Sequence, residues 1–294
     1  MSKLSPDALG FVLAIDGCAR GCHHCPAYGL GMRPTVAPIE DLRTRLKRIK
    51  AAMPTVDFAN DFRTVHAWRI SDLGDYRYTE GGVTYDVVSV AEAWYANLGQ
   101  PLYVVTNGTI GSKARRESLQ LLSEQPDLVS QVKLTITPFD PKFTRTRYVE
   151  NMAFDVATLW PLGELPGRRK EGSSDQRRFR INVKSSADQR DEVEEVLWDI
   201  LSTAGLPNGE IEKLMTNKDP RLQIKPVYDL RVTAEQPLPI GALQLGNSPT
   251  DRLKPETVRN QNQLGFRPDG SAFEVDLWAF RETDIPEQSF DDWF

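Results

Sequence analysis

The chain has 294 residues, 40% of them hydrophobic and 26% charged, with a formal net charge of −5. That length suffices for one barrel-sized domain or two smaller ones, and the acidic balance argues against non-specific nucleic-acid binding, leaving room for a local basic groove. No apolar run is long enough for a membrane span, Met1–Asp7 lacks the apolar stretch of a secretory signal, and three clustered cysteines make no disulfide framework, so a cytoplasmic setting with reduced thiols is expected.

In chain order, the first element is an apolar run, Phe11–Ile15, read as a buried strand ended by Asp16-Gly17. At its C-terminal edge stand all three cysteines, Cys18, Cys22 and Cys25, with His23 and His24 between the last two. Three thiolates hold three irons of a 4Fe-4S cluster and leave the fourth iron open for a ligand, whereas a closed cluster normally takes four cysteines. A Cys3His zinc site completed by His23 or His24 uses the same residues and stays open as the alternative, although no distant ligand pair supports it. Helical spacing follows over Ile39–Met53, then a second strand, Val65–Ile70, with a polar edge Ser71-Asp72-Leu73-Gly74-Asp75. Val87–Leu98 suits a helix, Pro101–Val105 a third strand ending at Thr106-Asn107-Gly108, and Lys113–Ser123 a helix. Gln131–Thr137 forms the fourth expected strand and Phe179–Val183 the fifth; a helix at Asp191–Leu201 leads to a sixth at Leu222–Val227. This alternation favours an α/β fold with a parallel sheet and right-handed crossovers. The polar stretch Gly163–Gln176 is read as a solvated connection, with a substrate-ordered lid as the alternative.

The cysteine loop resembles that of the radical S-adenosylmethionine (SAM) superfamily, a CxxxCxΦC loop after the first strand of a β/α barrel, with Φ usually aromatic and here His24. The resemblance implies a partial (β/α)6 TIM-like barrel over residues 8–230 and a small C-terminal extension over 231–294. It further implies one 4Fe-4S cluster ligated by Cys18, Cys22 and Cys25, with SAM chelated at the open iron and His24 against the adenine. The implied activity is reductive cleavage of SAM to a 5′-deoxyadenosyl radical, which abstracts hydrogen from a substrate. An electron donor such as a flavodoxin or ferredoxin is the implied partner.

Ligand groups of parallel β/α folds gather at the C-terminal ends of strands, which makes the polar residues there the candidates for SAM. At the second strand, Leu73-Gly74-Asp75 stands where many members carry Gly-Gly-Glu; Ser71, Asp72, Gly74 and Asp75 are the candidates, with Asp75 or Asp72 paired to the SAM ammonium. Thr106 and Asn107 resemble the Thr-Asn-Gly that often ends the third strand. Thr135, Thr137, Asn182, Lys184, Lys225 and Tyr228 are placed to reach ribose, carboxylate or adenine. If Thr135 and Thr137 face inward, strand alternation turns Ile136 to the helices. Capping of the following helices is the plainer role for any one of these Ser, Thr or Asn residues.

With all three cysteines assigned, none remains for an auxiliary cluster, a methyl-carrying thiol or a thiyl donor. The tail segment Phe266–Val275 faintly resembles the hairpin that opens the auxiliary-cluster region of SPASM-type members, with Val275 in place of a cysteine. It is read as a metal-free hairpin turning at Pro268-Asp269-Gly270 and packed beside the barrel. The aromatic end, Phe290–Phe294, either docks or frays. The tail slightly favours a peptide or amino-acid substrate over a sugar, nucleoside or other metabolite. Thr135-Ile136-Thr137-Pro138 lacks the Asp-x-Lys common in glycyl-radical activases. A non-catalytic zinc or iron–sulfur binding module is the alternative of another class.

Overall fold

The computed structural model describes residues 9–18, 33–58, 65–67, 71–109, 111–136, 144–166, 177–185, 190–216, 219, 221–226, 262–276 and 281–294. Strand β1 (Leu9–Val12) and the residues after it are buried without a break through Ile15, the pattern of a strand covered on both faces. The expected strand Phe11–Ile15 is interrupted: Leu13 N donates to Phe266 O and Ala14 N to Ala67 O, each at 2.8 Å. Then β2 (Ile15–Asp16) pairs antiparallel with β3 (Thr35–Val36). Helix α1 (Ile39–Ala52) buries Ile39, Leu42, Leu46 and Ile49, a stripe at helical spacing, and carries Glu40 and Asp41 in its first turn, where the helix dipole favours them.

Of the expected second strand Val65–Ile70, the described part, Val65–Ala67, forms only an isolated parallel bridge from His66 to Phe11; Trp68, Arg69 and Ile70 lie outside the described residues. The buried amide of Gln100 donates to Val65 O at 2.9 Å and accepts from Val65 N at 3.2 Å, so a side chain serves as the strand neighbour. After a 3₁₀ turn at Leu73–Asp75, β4 (Tyr78–Glu80) and β5 (Val83–Tyr85) form a hairpin that sequence analysis passed over. Its Gly81-Gly82 corner, with φ of 57° and 81°, has the double positive φ that such tight hairpins need. Helix α2 (Val87–Leu98) starts at an Asp86/Ser89 capping box, ends at left-handed Gly99, and packs on α1.

Next come β6 (Leu102–Thr106), α3 (Lys113–Glu124), β7 (Val129–Ile136), α4 (Arg145–Gly163), β8 (Phe179–Ser185), α5 (Arg190–Thr203), α6 (Asn208–Met215) and β9 (Leu222–Pro226). The four strands are parallel in the order β6-β7-β8-β9, joined by helices as βαβ connections require. The 19-residue α4 is absent from the sequence-based expectations, yet it packs on β7, β8, α3 and α5. The Phe179 ring meets Trp160 of α4 edge-on at 6.3 Å, so Phe179, Ile181 and Val183 face that helix. Register pairs Leu134 with Ile181 and Ile136 with Val183 on the same side, which leaves Lys133, Thr135, Arg180 and Asn182 on the other.

The tail adds β10 (Asn262–Phe266), β11 (Ser271–Asp276) and β12 (Arg281–Ser289). β10 runs parallel to β1 and antiparallel to β11, giving a sheet ordered β1-β10-β11-β12. The hairpin turn is closed by Arg267 N on Ser271 O at 3.0 Å and by Asp269, whose Oδ1 accepts from both Ser271 N and Ser271 Oγ. The aromatic end docks: Phe290 is buried, edge-on to Phe266 and stacked on Phe294. The α1 guanidinium of Arg48 lies over the Phe290 ring at 5.1 Å and donates to Phe294 O at 3.3 Å.

Because the tail strands pair with β1, Met1–Gln100 and Arg231–Phe294 form one compact unit, and Pro101–Leu230 forms the other. The fold is mixed α/β with parallel and antiparallel pairs, and among the described residues no sheet closes on itself. Among them, too, no helix is long and apolar enough to cross a membrane.

Candidate functional site

The cysteine loop leaves β2 through Asp16-Gly17-Cys18. Gly17 adopts φ 88°, a conformation that favours glycine, while its N–H donates to Asp16 Oδ1 at 3.0 Å. Cys18 is half-buried immediately after this turn. Two elements brace its root. Ser71 Oγ donates to Ile15 O at 3.2 Å, and Arg267 Nε of the tail hairpin stands 3.6 Å from Asp16 Oδ2. Arg267 is itself held by Asp284 at 2.6 Å, by the Phe273 ring at 5.0 Å and by Arg45, whose Nη1 donates to Arg267 O.

Cys22, His23, His24 and Cys25 lie outside the described residues, and among the described residues no three His, Cys, Asp or Glu gather as metal ligands. Of the three cysteines, Cys18 alone is among the described residues, half-buried on the braced turn.

The Ser71–Asp75 edge belongs to the same unit. Asp72 is buried, and its Oδ1 accepts from Gly74 N at 2.9 Å while its carbonyl accepts from Asp75 N at 2.9 Å, so it caps the 3₁₀ turn. Gly74 is buried within that turn and Asp75 half-buried at its end. Behind it, Tyr76 is fully buried and donates from its hydroxyl to Ala37 O at 2.8 Å; burial pushes this phenol well above its ordinary range.

In the other unit, Thr106 occupies the register position opposite Leu134, on the helix-facing side, and its Oγ1 accepts from Gly108 N at 3.1 Å. Asn107 is half-buried in the same turn. Gly108 has φ 78°, and a Cβ there would sit 2.2 Å from Asp155 Oδ2, so only glycine admits α4 this closely. Asp155 Oδ2 accepts from Thr109 N at 2.7 Å, and Arg115 Nη1 donates to Gly108 O at 2.5 Å. The turn that resembles Thr-Asn-Gly is thus locked by α3 and α4.

Thr135 and Asn182, both buried, are register partners on the opposite face. The structure therefore brings these two candidates together and sets Thr106 on the other side of the sheet. Lys184 and Lys225 also hold paired register positions, their side chains being outside the described set, as are Thr137 and Tyr228. One repeat back from Thr135 and Asn182, Lys133 pairs in register with Arg180, and the Lys133 ammonium lies 4.9 Å from the Tyr103 ring centre. Tyr103, Lys133 and Arg180 are absent from the sequence-based expectations. Their signal was the period-2 alternation in Gln131-Val132-Lys133-Leu134-Thr135 and Arg180-Ile181-Asn182-Val183, a polar stripe on strands whose other stripe is apolar.

Comparison of the chain with protein-family models, with curated proteins and with solved structures finds no match.

Proposed function

We propose that the chain is a radical SAM enzyme, carried by a partial (β/α)6 barrel and working in the cytoplasm with a flavodoxin- or ferredoxin-like electron donor. The observation that carries the proposal is the juxtaposition at the loop root: Cys18 follows β2 after the single residue Gly17, and Ser71 donates to Ile15 O three residues before it. The support beyond it is the cysteine spacing and the succession of parallel strands joined by helices. In this reading Cys18, Cys22 and Cys25 hold one 4Fe-4S cluster, and His24 contacts the adenine. Bound together, the cluster and SAM supply a 5′-deoxyadenosyl radical that abstracts hydrogen from the substrate.

The chain's own residues then have separable tasks. Ser71 and Arg267 fix the loop root, Asp72 holds the 3₁₀ turn, and Asp75 at its half-buried end takes the SAM ammonium. Thr135, Thr137, Asn182, Lys184, Lys225 and Tyr228 orient the rest of SAM, with Gly74, Thr106 and Asn107 shaping the strand edges. Holding donor and acceptor carbon together in a dry site is the protein's share of the rate.

Anaerobic reconstitution tests this. About four irons per chain, lost in Cys22→Ala, with 5′-deoxyadenosine released on reduction in the presence of SAM, is the expected result. Stoichiometric zinc without iron would replace the proposal with the binding-module reading, and full iron loading with undiminished SAM cleavage in Cys22→Ala would refute the ligand assignment.

A further inference from the structure

On the face of the β6-β7-β8-β9 sheet turned away from Phe179, Ile181 and Val183, two polar side chains carry atoms without partners among the described residues. Arg180 is half-buried with its Nε enclosed, and burial lowers its basicity against only the counteracting influence of Tyr103. No carboxylate pairs with it among the described residues, and its Nε has no hydrogen-bond partner there. Lys133 sits beside it in register, so two cations share neighbouring strands about 4.8 Å apart. Asn182, 8% exposed on the same face, has an Oδ1 with no partner. A buried cation without an anion destabilises a fold, and a buried amide oxygen without a donor adds to that. Both deficits are relieved by one ligand bearing an oxyanion and a neighbouring hydroxyl or ammonium group.

We propose that Tyr103, Lys133 and Arg180 form the substrate subsite, which binds a carboxylate or phosphate of the substrate, with Asn182 at its border with the SAM edge. This rests on the radical SAM reading for the word substrate, though the anion site stands on its own geometry. The two cations lie one repeat, about 6.6 Å, farther from the strand ends than Thr135 and Asn182, which separates them from the edge where SAM is placed. The guanidinium and ammonium hold the oxyanion, the Tyr103 ring fixes the Lys133 ammonium from one side, and Asn182 Oδ1 selects a ligand with a donor next to its anionic group.

The test is a calorimetric titration of the cluster-loaded protein with inorganic phosphate at constant ionic strength, chloride serving as the control anion. Saturable binding is expected, weakened about tenfold in Arg180→Met and in Lys133→Met, as loss of one charge-assisted pair implies. Arg180→Met should keep or raise its Tm, because it removes a half-buried cation that no carboxylate among the described residues offsets. Absence of saturable phosphate binding by the unsubstituted protein overturns the proposal, and so does wild-type affinity in both variants. Saturating SAM should leave phosphate binding unchanged; if SAM displaces phosphate, the site belongs to the SAM carboxylate and the substrate assignment falls. A protein that loads no iron yet binds phosphate through Arg180 supports the anion site while removing the radical SAM reading.

Discussion

Replacing Gly108 by Ala tests whether the turn after β6 is built around the close approach of α4. The left-handed backbone, φ 78°, costs a residue with a Cβ about 1–2 kcal/mol. The added carbon would stand 2.2 Å from Asp155 Oδ2, 2.9 Å from Met152 Cε and 3.2 Å from Leu134 Cδ1. Asp155 must then move, and moving it breaks its 2.7 Å bond from Thr109 N, a hydrogen bond to a buried charged group worth about 1.5–3 kcal/mol. The expected loss is about 2.5–5 kcal/mol, which with a urea slope near 3 kcal/mol/M lowers the unfolding midpoint by about 0.8 M or more. Urea denaturation followed by circular dichroism measures it. Asp155→Ala in the same background should be less than additive, since it removes the atom that the new Cβ strikes. Strict additivity of the two substitutions, or a midpoint shift under about 0.2 M, would refute the reasoning.

Burial pushes the Asp219 carboxyl up, but its hydrogen bonds and ion pair with Arg221 outweigh this and hold it below the usual carboxylate range. Such a group contributes stability that is complete above about pH 4 and lost as pH falls through its lower folded value, so the Tm gap between the unsubstituted protein and Asp219→Asn should be full at neutral pH and close on acidification; a pH-independent gap would contradict it. Phe290→Ala, which empties a buried site between Phe266 and Phe294, should cost about 3–4 kcal/mol and speed amide exchange in β10 and β11, while unchanged exchange would mean that the docked end does not brace the hairpin. Asp72→Ala should lower Tm through the lost cap, by about 1 kcal/mol, whereas Asp75→Ala should leave Tm in place and weaken SAM binding in anaerobic calorimetry; the reverse pattern moves the ammonium partner to Asp72. Ser71→Ala should lose about 1 kcal/mol and retain iron less well, and equal iron retention would detach this edge from the cysteine loop.

The local signals of the chain were sufficient for most elements. Ile39, Leu42, Leu46 and Ile49 declare α1 by spacing, and the apolar runs of β6, β7 and β8 declare buried parallel strands, because period and burial are properties of neighbouring residues. Sequence likewise located the three thiols and the alternation that separates Thr135 from Ile136. It did not disclose α4, because polar Asn151 and Asp155 interrupt its apolar stripe and are buried only through partners, Arg116 and Thr109, that lie 35 and 46 residues away. Nor did it disclose that β10 joins β1 in parallel, or that Arg267 reaches Asp16 at the root of the cysteine loop, since both join segments about 250 residues apart. Sequence pattern determined which residues could carry chemistry, and tertiary packing alone decided which of them share a face: Thr106 is turned to the helices and tied to Gly108, while Lys133, Arg180, Thr135 and Asn182 are aligned by strand register, a relation between separate strands that no single segment encodes.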